Sequence, residues 1–397
     1  EAKKREPSGK DHGLIWQFFN LFDLYLERLR AFGRARNIGK ASEELSQRRV
    51  DAAPDDLQAL RVLIVSYGRL GDLCKAEGSR NAAREYYEKA LKIAKKIVSR
   101  TPDDLQALRD LSVSYSRLGD LSKAGGSRTE AREYYEKSLE IDKQLVSRTP
   151  DDLQALHGLS ISYERLGDLC NAEGSRTEAR EYYEKDLEIA KKLVSRTPDD
   201  LQALRDLSIS YERLGDLCNS EGSRTEAREY YEKSLEIAKK LISRTPDDLQ
   251  ALRDLSLSYG RLGDLCNSEG SRIEAREYYE QSLEIAKKLV SRTPDDLEAL
   301  RDLSVSYISL GDFCNAEGSR TEAREYYEKA REIREQLVSR TPDDLQALRD
   351  LSLSYERLGD LCNSEGSRTE AREYYEKSLE IAKKLISRTP DDLQALR

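Results

Sequence analysis

Apolar residues recur in steps of three and four along most of this chain, and the same pattern returns every 48 residues. In the unit at residues 198–245, the first stripe is Leu201, Leu204, Leu207, Tyr211, Leu214 and Cys218. A second stripe follows at Ala227, Tyr231, Ser234, Ala238 and Leu241. Such steps place side chains on one face of an amphipathic helix. Each unit is therefore predicted to hold two antiparallel helices of about 22 and 20 residues, and no stretch reads as a strand.

Turn and cap signals bound these helices. The run from Thr197 to Asp200 predicts a helix start with Thr197 as the N-cap and proline in the first turn. Gly222 predicts the end of the first helix, and Ser223 with Glu226 predicts a capping box that opens the second. Gly215 falls inside the first helix, where glycine costs about 1 kcal/mol relative to alanine. We expect close approach of the partner helix there; a hinge is the alternative.

The repetition predicts the fold. Residues 54–389 hold seven units, and residues 390–397 begin a truncated eighth. Residues 11–53 form a degenerate copy, predicted as an N-terminal helical hairpin that acts as a cap, after a disordered lead-in at residues 1–10. Units of this size cannot bury their apolar faces alone, so neighbours must stack. The predicted fold class is all-α: a right-handed α-solenoid superhelix of antiparallel helix pairs.

Composition and charge limit the cellular compartment and the class of partner that we expect. Charged residues make up 36% of the chain with a net charge of -8, which disfavours nucleic acid as the main partner. No signal peptide or apolar run long enough to cross a membrane is visible. Six cysteines share one position of the repeat and are predicted to be buried apolar residues in a reducing compartment. The chain is therefore expected to be cytoplasmic, and its lack of methionine suggests a fragment of a longer polypeptide.

Residues that could support catalysis are few. The two histidines, His12 and His157, are far apart in sequence, and no Ser-His-Asp set, phosphate-binding loop or metal-ligand spacing is present. The carboxylates recur in every unit, whereas catalytic sites are singular. We therefore expect no enzymatic activity, no cofactor and no metal.

The repeat resembles the tetratricopeptide repeat family. The residues that carry the resemblance are Tyr211, Leu214, Gly215, Cys218, Gly222, Ala227, Tyr231 and Ser234. Cys218 stands where the family usually has an aromatic residue, Lys239 replaces its proline, and the unit exceeds the usual length of about 34 residues. The resemblance implies that the first helices line a concave face that binds a protein or peptide.

Candidate partner-binding residues follow from that resemblance. They are the aspartates Asp120, Asp168, Asp216, Asp264 and Asp312, the variable residues Glu164, Glu212 and Ile308, and the asparagines Asn171, Asn219, Asn267 and Asn315. Two roles stay open for the aspartates. They either contact a partner or pair with the arginines that recur beside them, such as Arg213.

The N-terminal helix predicted at residues 14–29 is apolar around much of its circumference. Trp16, Phe18, Phe19 and Phe22 either cap the first unit or also dock against another domain. The leading functional hypothesis is a protein–protein interaction scaffold. One alternative is the sensor or regulatory half of a bacterial-type signalling or defence protein with an effector domain before residue 1. Another is a structural solenoid that self-associates end to end.

Overall fold

The structure, a computed structural model, describes residues 17–28 and 31–388, and every regular element in these ranges is helical. A helix over 17–23 runs into a π-helical turn, Leu24–Arg28, before the helix Phe32–Ala52. Seven helix pairs follow, numbered here as repeats 1 to 7. Their first helices are Leu57–Ala76, Leu105–Ala124, Leu153–Ala172, Leu201–Ser220, Leu249–Glu269, Leu297–Ala316 and Leu345–Ser364. Their second helices are Arg80–Arg100, Arg128–Arg148, Arg176–Arg196, Arg224–Arg244, Arg272–Arg292, Arg320–Arg340 and Arg368–Arg388.

The helices fall into two compact units, one that ends at Ile189 and one that begins at Ala190, within the second helix of repeat 3. In each unit, a second helix packs on the first helix of its own repeat and on the first helix of the next. Because contacts join only neighbours, the core is a series of small clusters rather than one centre. The prediction of an all-α solenoid built from helix pairs is confirmed.

Aspartates set the starts of the first helices. The Asp200 carboxylate accepts hydrogen bonds from the backbone N–H groups of Gln202 at 2.8 Å and Ala203 at 3.4 Å. The prediction of Thr197 as N-cap is wrong, because its hydroxyl donates to the Leu193 carbonyl of the preceding helix at 2.9 Å. Aspartate caps a helix at least as well as threonine and adds a favourable charge at the positive end of the helix dipole.

The turn inside each repeat depends on a left-handed glycine. Gly222 has φ 80°, and its N–H donates to the Asn219 carbonyl at 3.0 Å. The next N–H, of Ser223, reaches back to the Cys218 carbonyl at 2.8 Å. Gly222 therefore ends the first helix as predicted. The capping box is wrong, because Ser223 at ψ 63° lies outside the extended region that N-caps favour, and its side chain makes no capping bond.

A glycine inside each first helix lies against a tyrosine ring of the second helix. A Cβ at Gly215 would stand 2.5 Å from Cε1 of Tyr231, closer than real carbon atoms approach. The same glycine–tyrosine contact occurs in all seven repeats, and the Tyr231 ring is buried. The predicted close approach of the partner helix is confirmed.

The N-terminal pair of helices reverses this contact. Asp23 stands where Gly71 stands in repeat 1, and Gly39 stands where Tyr87 stands. A Cβ at Gly39 would lie 2.9 Å from the Phe22 ring, so here the aromatic residue is on the first helix and the glycine on the second. The contact again joins one small and one large residue, but each stands on the opposite helix from its counterpart in repeats 1 to 7.

Replacing Gly215 by alanine should destabilise the array. The new Cβ would collide with the buried Tyr231 ring, and overpacking of this kind costs about 1–3 kcal/mol. Gly260→Ala is the matched control, because Gly260 also lies inside a first helix but has no atom within 4 Å of its Cβ position. That change should stabilise by up to about 1 kcal/mol through helix propensity. Thermal unfolding followed by circular dichroism measures both, and a fall in Tm of equal size for the two variants would contradict the close approach.

Candidate interaction face

The predicted binding residues of repeat 4, Glu212, Asp216 and Asn219, share one side of its first helix with Ile209 but lie at different depths. Ile209 is exposed, whereas Asp216 and Asn219 are half-buried. Glu212 is only 5% exposed. Solvent, and any partner, therefore reaches Ile209, Asp216 and Asn219 before Glu212.

Each aspartate of the repeated set accepts a hydrogen bond from the tyrosine that packs on the neighbouring glycine. In repeat 4, the Tyr231 hydroxyl donates to Asp216 at 2.7 Å. Equivalent bonds of 2.6 to 2.8 Å join Tyr87 to Asp72, Tyr135 to Asp120, Tyr183 to Asp168, Tyr279 to Asp264, Tyr327 to Asp312 and Tyr375 to Asp360. Burial and the nearby Asp216 carboxylate raise the pKa of the Tyr231 hydroxyl, so the tyrosine stays a donor.

Four of these aspartates also pair with an arginine of the following repeat. Nε and Nη2 of Arg261 lie 3.2 and 3.1 Å from the two carboxylate oxygens of Asp216. The other pairs, at 3.0 to 3.2 Å, are Arg117 with Asp72, Arg165 with Asp120 and Arg357 with Asp312. Pairing between repeats, one of the two roles that the sequence left open, is present at these positions.

At the variable position of the repeat, Glu212 of repeat 4 is turned inward. Glu212 accepts a hydrogen bond from Ser234 at 2.9 Å and lies 3.7 Å from Nη1 of Arg261, and burial raises the pKa of its carboxyl. Ile308 is buried and Glu164 is half-buried. Glu212 and Ile308 pack between helices, and contact of all three residues with a partner stays a prediction.

The candidate asparagines mark the ends of the first helices. Asn171, Asn267 and Asn315 are exposed, and Asn219 is half-buried. Their backbone carbonyls accept the N–H of the turn glycines at 3.0 to 3.1 Å. These asparagines thus lie near the turns, and their contact with a partner stays a prediction.

An exposed aliphatic side chain recurs on the same side of the first helices. Five repeats carry one that is 37 to 52% exposed: Val113, Ile209, Leu257, Val305 and Leu353. The equivalents Val65 and Ile161 are half-buried. On a surface that is otherwise strongly charged, this recurring apolar position is the feature that most resembles a binding surface.

A cavity of about 410 Å³ opens on this side where repeats 4, 5 and 6 meet, within the unit that begins at Ala190. Its lining includes Asp264, Leu257 and Val305. Two short residues face it: Gly260, at the variable position that Glu212 occupies in repeat 4, and Ser309, in place of the arginine that recurs as Arg261. Compared with repeats 4 and 5, a long side chain is missing at both positions, which leaves the space open.

The aromatic residues of the N-terminal helix are divided between core and surface. Phe19 packs against Val62, and Phe22 packs against Leu73 of repeat 1. Phe18 is half-buried, and Trp16 lies outside the described residues. Arg69 lies 4.2 Å above the Phe19 ring, which ties this helix to repeat 1. Docking of the remaining aromatic surface against another domain stays a prediction.

The sequence reasoning missed a buried carboxylate between repeats 2 and 3. Asp142, 4% exposed, stands where five other repeats have alanine, and it accepts hydrogen bonds from Ser112 at 2.8 Å and Ser162 at 2.6 Å. A Cβ at Gly158 would lie 3.4 Å from Oδ1 of Asp142. The aspartate that most repeats carry at the position of Gly158 would place a second carboxylate there. The departure of Gly158 from the repeat was the available signal.

The cysteines of the repeat are buried and form no disulfide bonds within the described residues. All six cysteines lie within the described residues, and each is buried with a free thiol. Burial raises the pKa of Cys266 to about 11, which leaves the thiol unreactive at neutral pH. Within residues 17–28 and 31–388, no three His, Cys, Asp or Glu side chains are grouped to hold a metal ion. No helix in that part of the chain has the length and apolar character needed to span a bilayer.

Comparison with known families settles the class of the repeat. Two family models, both described as tetratricopeptide repeat, match residues 64–97, 112–145, 161–193, 209–241, 257–289 and, for the second model, 302–384. The chain belongs to the tetratricopeptide repeat family. Between the matched segments 209–241 and 257–289 lie the last turn of one helix, the Thr-Pro turn and the first two turns of the next helix. These residues are where this tetratricopeptide array is longer than the family pattern.

Solved structures share the fold at low sequence identity. Aspartyl phosphate phosphatase F from Bacillus subtilis matches with a TM-score of 0.53 and 11% identity over 95% of this chain and 85% of its own. The apo form of RapI matches with a TM-score of 0.51 and 14% identity over 82% of this chain and 98% of its own. At these identities the likeness shows the fold alone. A search of curated proteins found no match.

Asp142→Ala should stabilise the tetratricopeptide array more at pH 7.5 than at pH 4.5. Burial raises the pKa of Asp142, so the folded state binds a proton more tightly than the unfolded chain, whose aspartates titrate near about 4. Stability from this group is therefore present at low pH and is lost as pH rises through the raised pKa. The Tm difference between variant and parent, measured at both pH values, should grow with pH. A Tm difference that does not change with pH would contradict the raised pKa of Asp142.

Proposed function

We propose that this chain is a non-enzymatic interaction scaffold that binds an extended peptide or protein segment along the exposed side of its first helices. Family membership supports a binding role, because stacked helical repeats present long surfaces to partners. The observation that carries the proposal is the exposed aliphatic residue that recurs at one position of the repeat, as at Ile209 and Leu257.

Binding would combine apolar and polar contacts of the described residues. Aliphatic side chains such as Val305 would be covered by the ligand, which removes apolar surface from water. Asparagine amides such as Asn267 can hydrogen-bond the backbone of an extended peptide. Asp216 already holds a tyrosine and an arginine, so its role would be to fix the shape of the face.

The described part of the N-terminal helix supports its role as a cap on repeat 1. Phe19 and Phe22 are buried against repeat 1 rather than left as an open apolar surface. We propose that these residues close the array on that side and that the ligand face lies on the first helices. The expected compartment is cytoplasmic, in keeping with six buried free thiols.

Substituting serine for Ile209, Leu257 and Val305 together should weaken peptide binding without unfolding the array. The probe is a phage-displayed library of random 12-residue peptides selected on the parent chain. Each exposed aliphatic side chain that a ligand covers contributes up to about 1.5–3 kcal/mol, so the triple variant should bind the selected peptides at least about tenfold more weakly.

The matched control carries serine at Ile273 and Ile386, exposed aliphatic residues of second helices. Exposed substitutions usually alter stability by no more than about 0.5 kcal/mol, so both variants should unfold near the parent Tm. The control should bind like the parent. If selected peptides bind the triple variant as well as they bind the control, the first-helix face is not the ligand site.

A further inference from the structure

We propose that the cavity at Gly260 and Ser309 is a subsite for an arginine side chain of the bound peptide, with Asp264 as its carboxylate partner. This inference rests on the proposed peptide-binding function and specifies one position of the ligand. Other repeats place an arginine guanidinium beside the aspartate that is equivalent to Asp264. Repeat 6 lacks the arginine that would do so for Asp264.

The chain itself shows which group this place accepts. Arg261 of repeat 5 binds both carboxylate oxygens of Asp216 through Nε and Nη2, at 3.2 and 3.1 Å. The same arginine recurs in every complete repeat except repeat 6, where Ser309 replaces it. A serine hydroxyl carries no charge and does not extend to the position of the guanidinium, so that position beside Asp264 is vacated by the protein.

Asp264 consequently lacks a cation. It accepts a hydrogen bond from Tyr279 at 2.6 Å and is exposed to solvent. It forms no ion pair with any lysine or arginine among residues 17–28 and 31–388. The other aspartates that line the cavity are all paired: Asp216 with Arg261, Asp254 with Arg205 and Asp302 with Arg253, at 3.0 to 3.2 Å. Asp264 is thus the lining carboxylate left for a ligand cation.

The cavity has room for the whole side chain. Its volume of about 410 Å³ lies within the range of small-ligand sites, roughly 300–1,000 Å³. At Gly68 of repeat 1, Arg117 of the next repeat fills the space beside the glycine, but beside Gly260, where Ser309 replaces that arginine, no atom lies within 4 Å of the Cβ position. Leu257 and Val305 line the same space and are 52 and 51% exposed, so they can cover the methylene stem of an arginine.

Guanidinium fits this place better than ammonium. The equivalent carboxylate of repeat 4 receives two parallel N–H donors, a geometry that a planar guanidinium supplies and a lysine ammonium does not. A tyrosine hydroxyl holds Asp264 as it holds Asp216, so the carboxylate is presented in the same way. The Tyr279 ring is further fixed by Phe313 of repeat 6, with ring centroids 5.6 Å apart.

Four fluorescein-labelled nonapeptide libraries test the subsite. Each has random residues at eight positions and a fixed central residue: arginine, lysine, citrulline or alanine. Citrulline matches the shape of arginine without its charge. Fluorescence polarisation at low ionic strength should show the arginine library binding at least about tenfold more tightly than the citrulline library. Equal binding of the two, or of arginine and lysine, would overturn the assignment of a guanidinium site.

Two variants connect that preference to Asp264. Asp264→Asn keeps an acceptor for Tyr279 but removes the charge, and Ser309→Arg supplies the missing guanidinium from the chain itself. Both should remove the preference for arginine over citrulline. Asp312→Asn is the matched control, because Arg357 already pairs with that carboxylate, and it should keep the preference. Retention of the preference in Asp264→Asn would overturn the proposal even if Ser309→Arg failed to fold.

The outcomes separate this inference from the function on which it rests. If no library binds the parent chain, the peptide-binding function fails, and the subsite fails with it. If all four libraries bind equally well and the serine variant of Ile209, Leu257 and Val305 loses that binding, the first-helix face stands and the arginine subsite alone is wrong.

Discussion

The close packing of one tyrosine ring on one glycine in each repeat is the contact on which the rest of the structure depends. At Gly215 the absence of a Cβ lets the Tyr231 ring lie against the first helix. That approach brings the tyrosine hydroxyl to Asp216, 2.7 Å away, and the same carboxylate then holds Arg261 of the next repeat. A contact within one repeat thereby orients a contact between two repeats. Because each repeat touches only its neighbours, this local geometry sets how the next unit stacks.

Ion pairs between repeats explain why so charged a chain forms a packed array. Between repeats 4 and 5, Arg205 pairs with Asp248, and Arg228 lies 2.8 Å from Glu274. Single exposed pairs contribute only about 0–1 kcal/mol, so their recurrence contributes more to the register of stacking than to its strength. Recurring charged residues such as Arg205 and Asp248 are therefore accounted for by the stack itself. Recurrence alone does not identify a partner-binding residue in such a chain.

The sequence predicts the helices and the glycine contact well, because both depend on neighbours within one repeat. The stripe that includes Leu214 and Cys218 predicts the helix, and Gly215 inside that stripe predicts the close approach. The identity of the N-cap residue is harder to predict, because threonine and aspartate both favour that position. Whether Thr197 or Asp200 caps the helix depends on the path of the chain between the two helices.

Contacts between repeats could not be predicted from the sequence. Asp216 and Arg261 are 45 residues apart, and nothing in their spacing distinguishes a pair from two separate surface charges. The sequence marks Ser309 as a departure from the repeat, but not that it faces the same space as Gly260. Residues that differ from the repeat have two kinds of effect. Gly158 makes room beside the buried Asp142 and so relieves a conflict inside the stack. Ser309 takes away a partner, which leaves Asp264 facing an open cavity. In an array of near-identical units, a substitution that leaves a charged side chain without its usual ion-pair partner is the kind that indicates a ligand site.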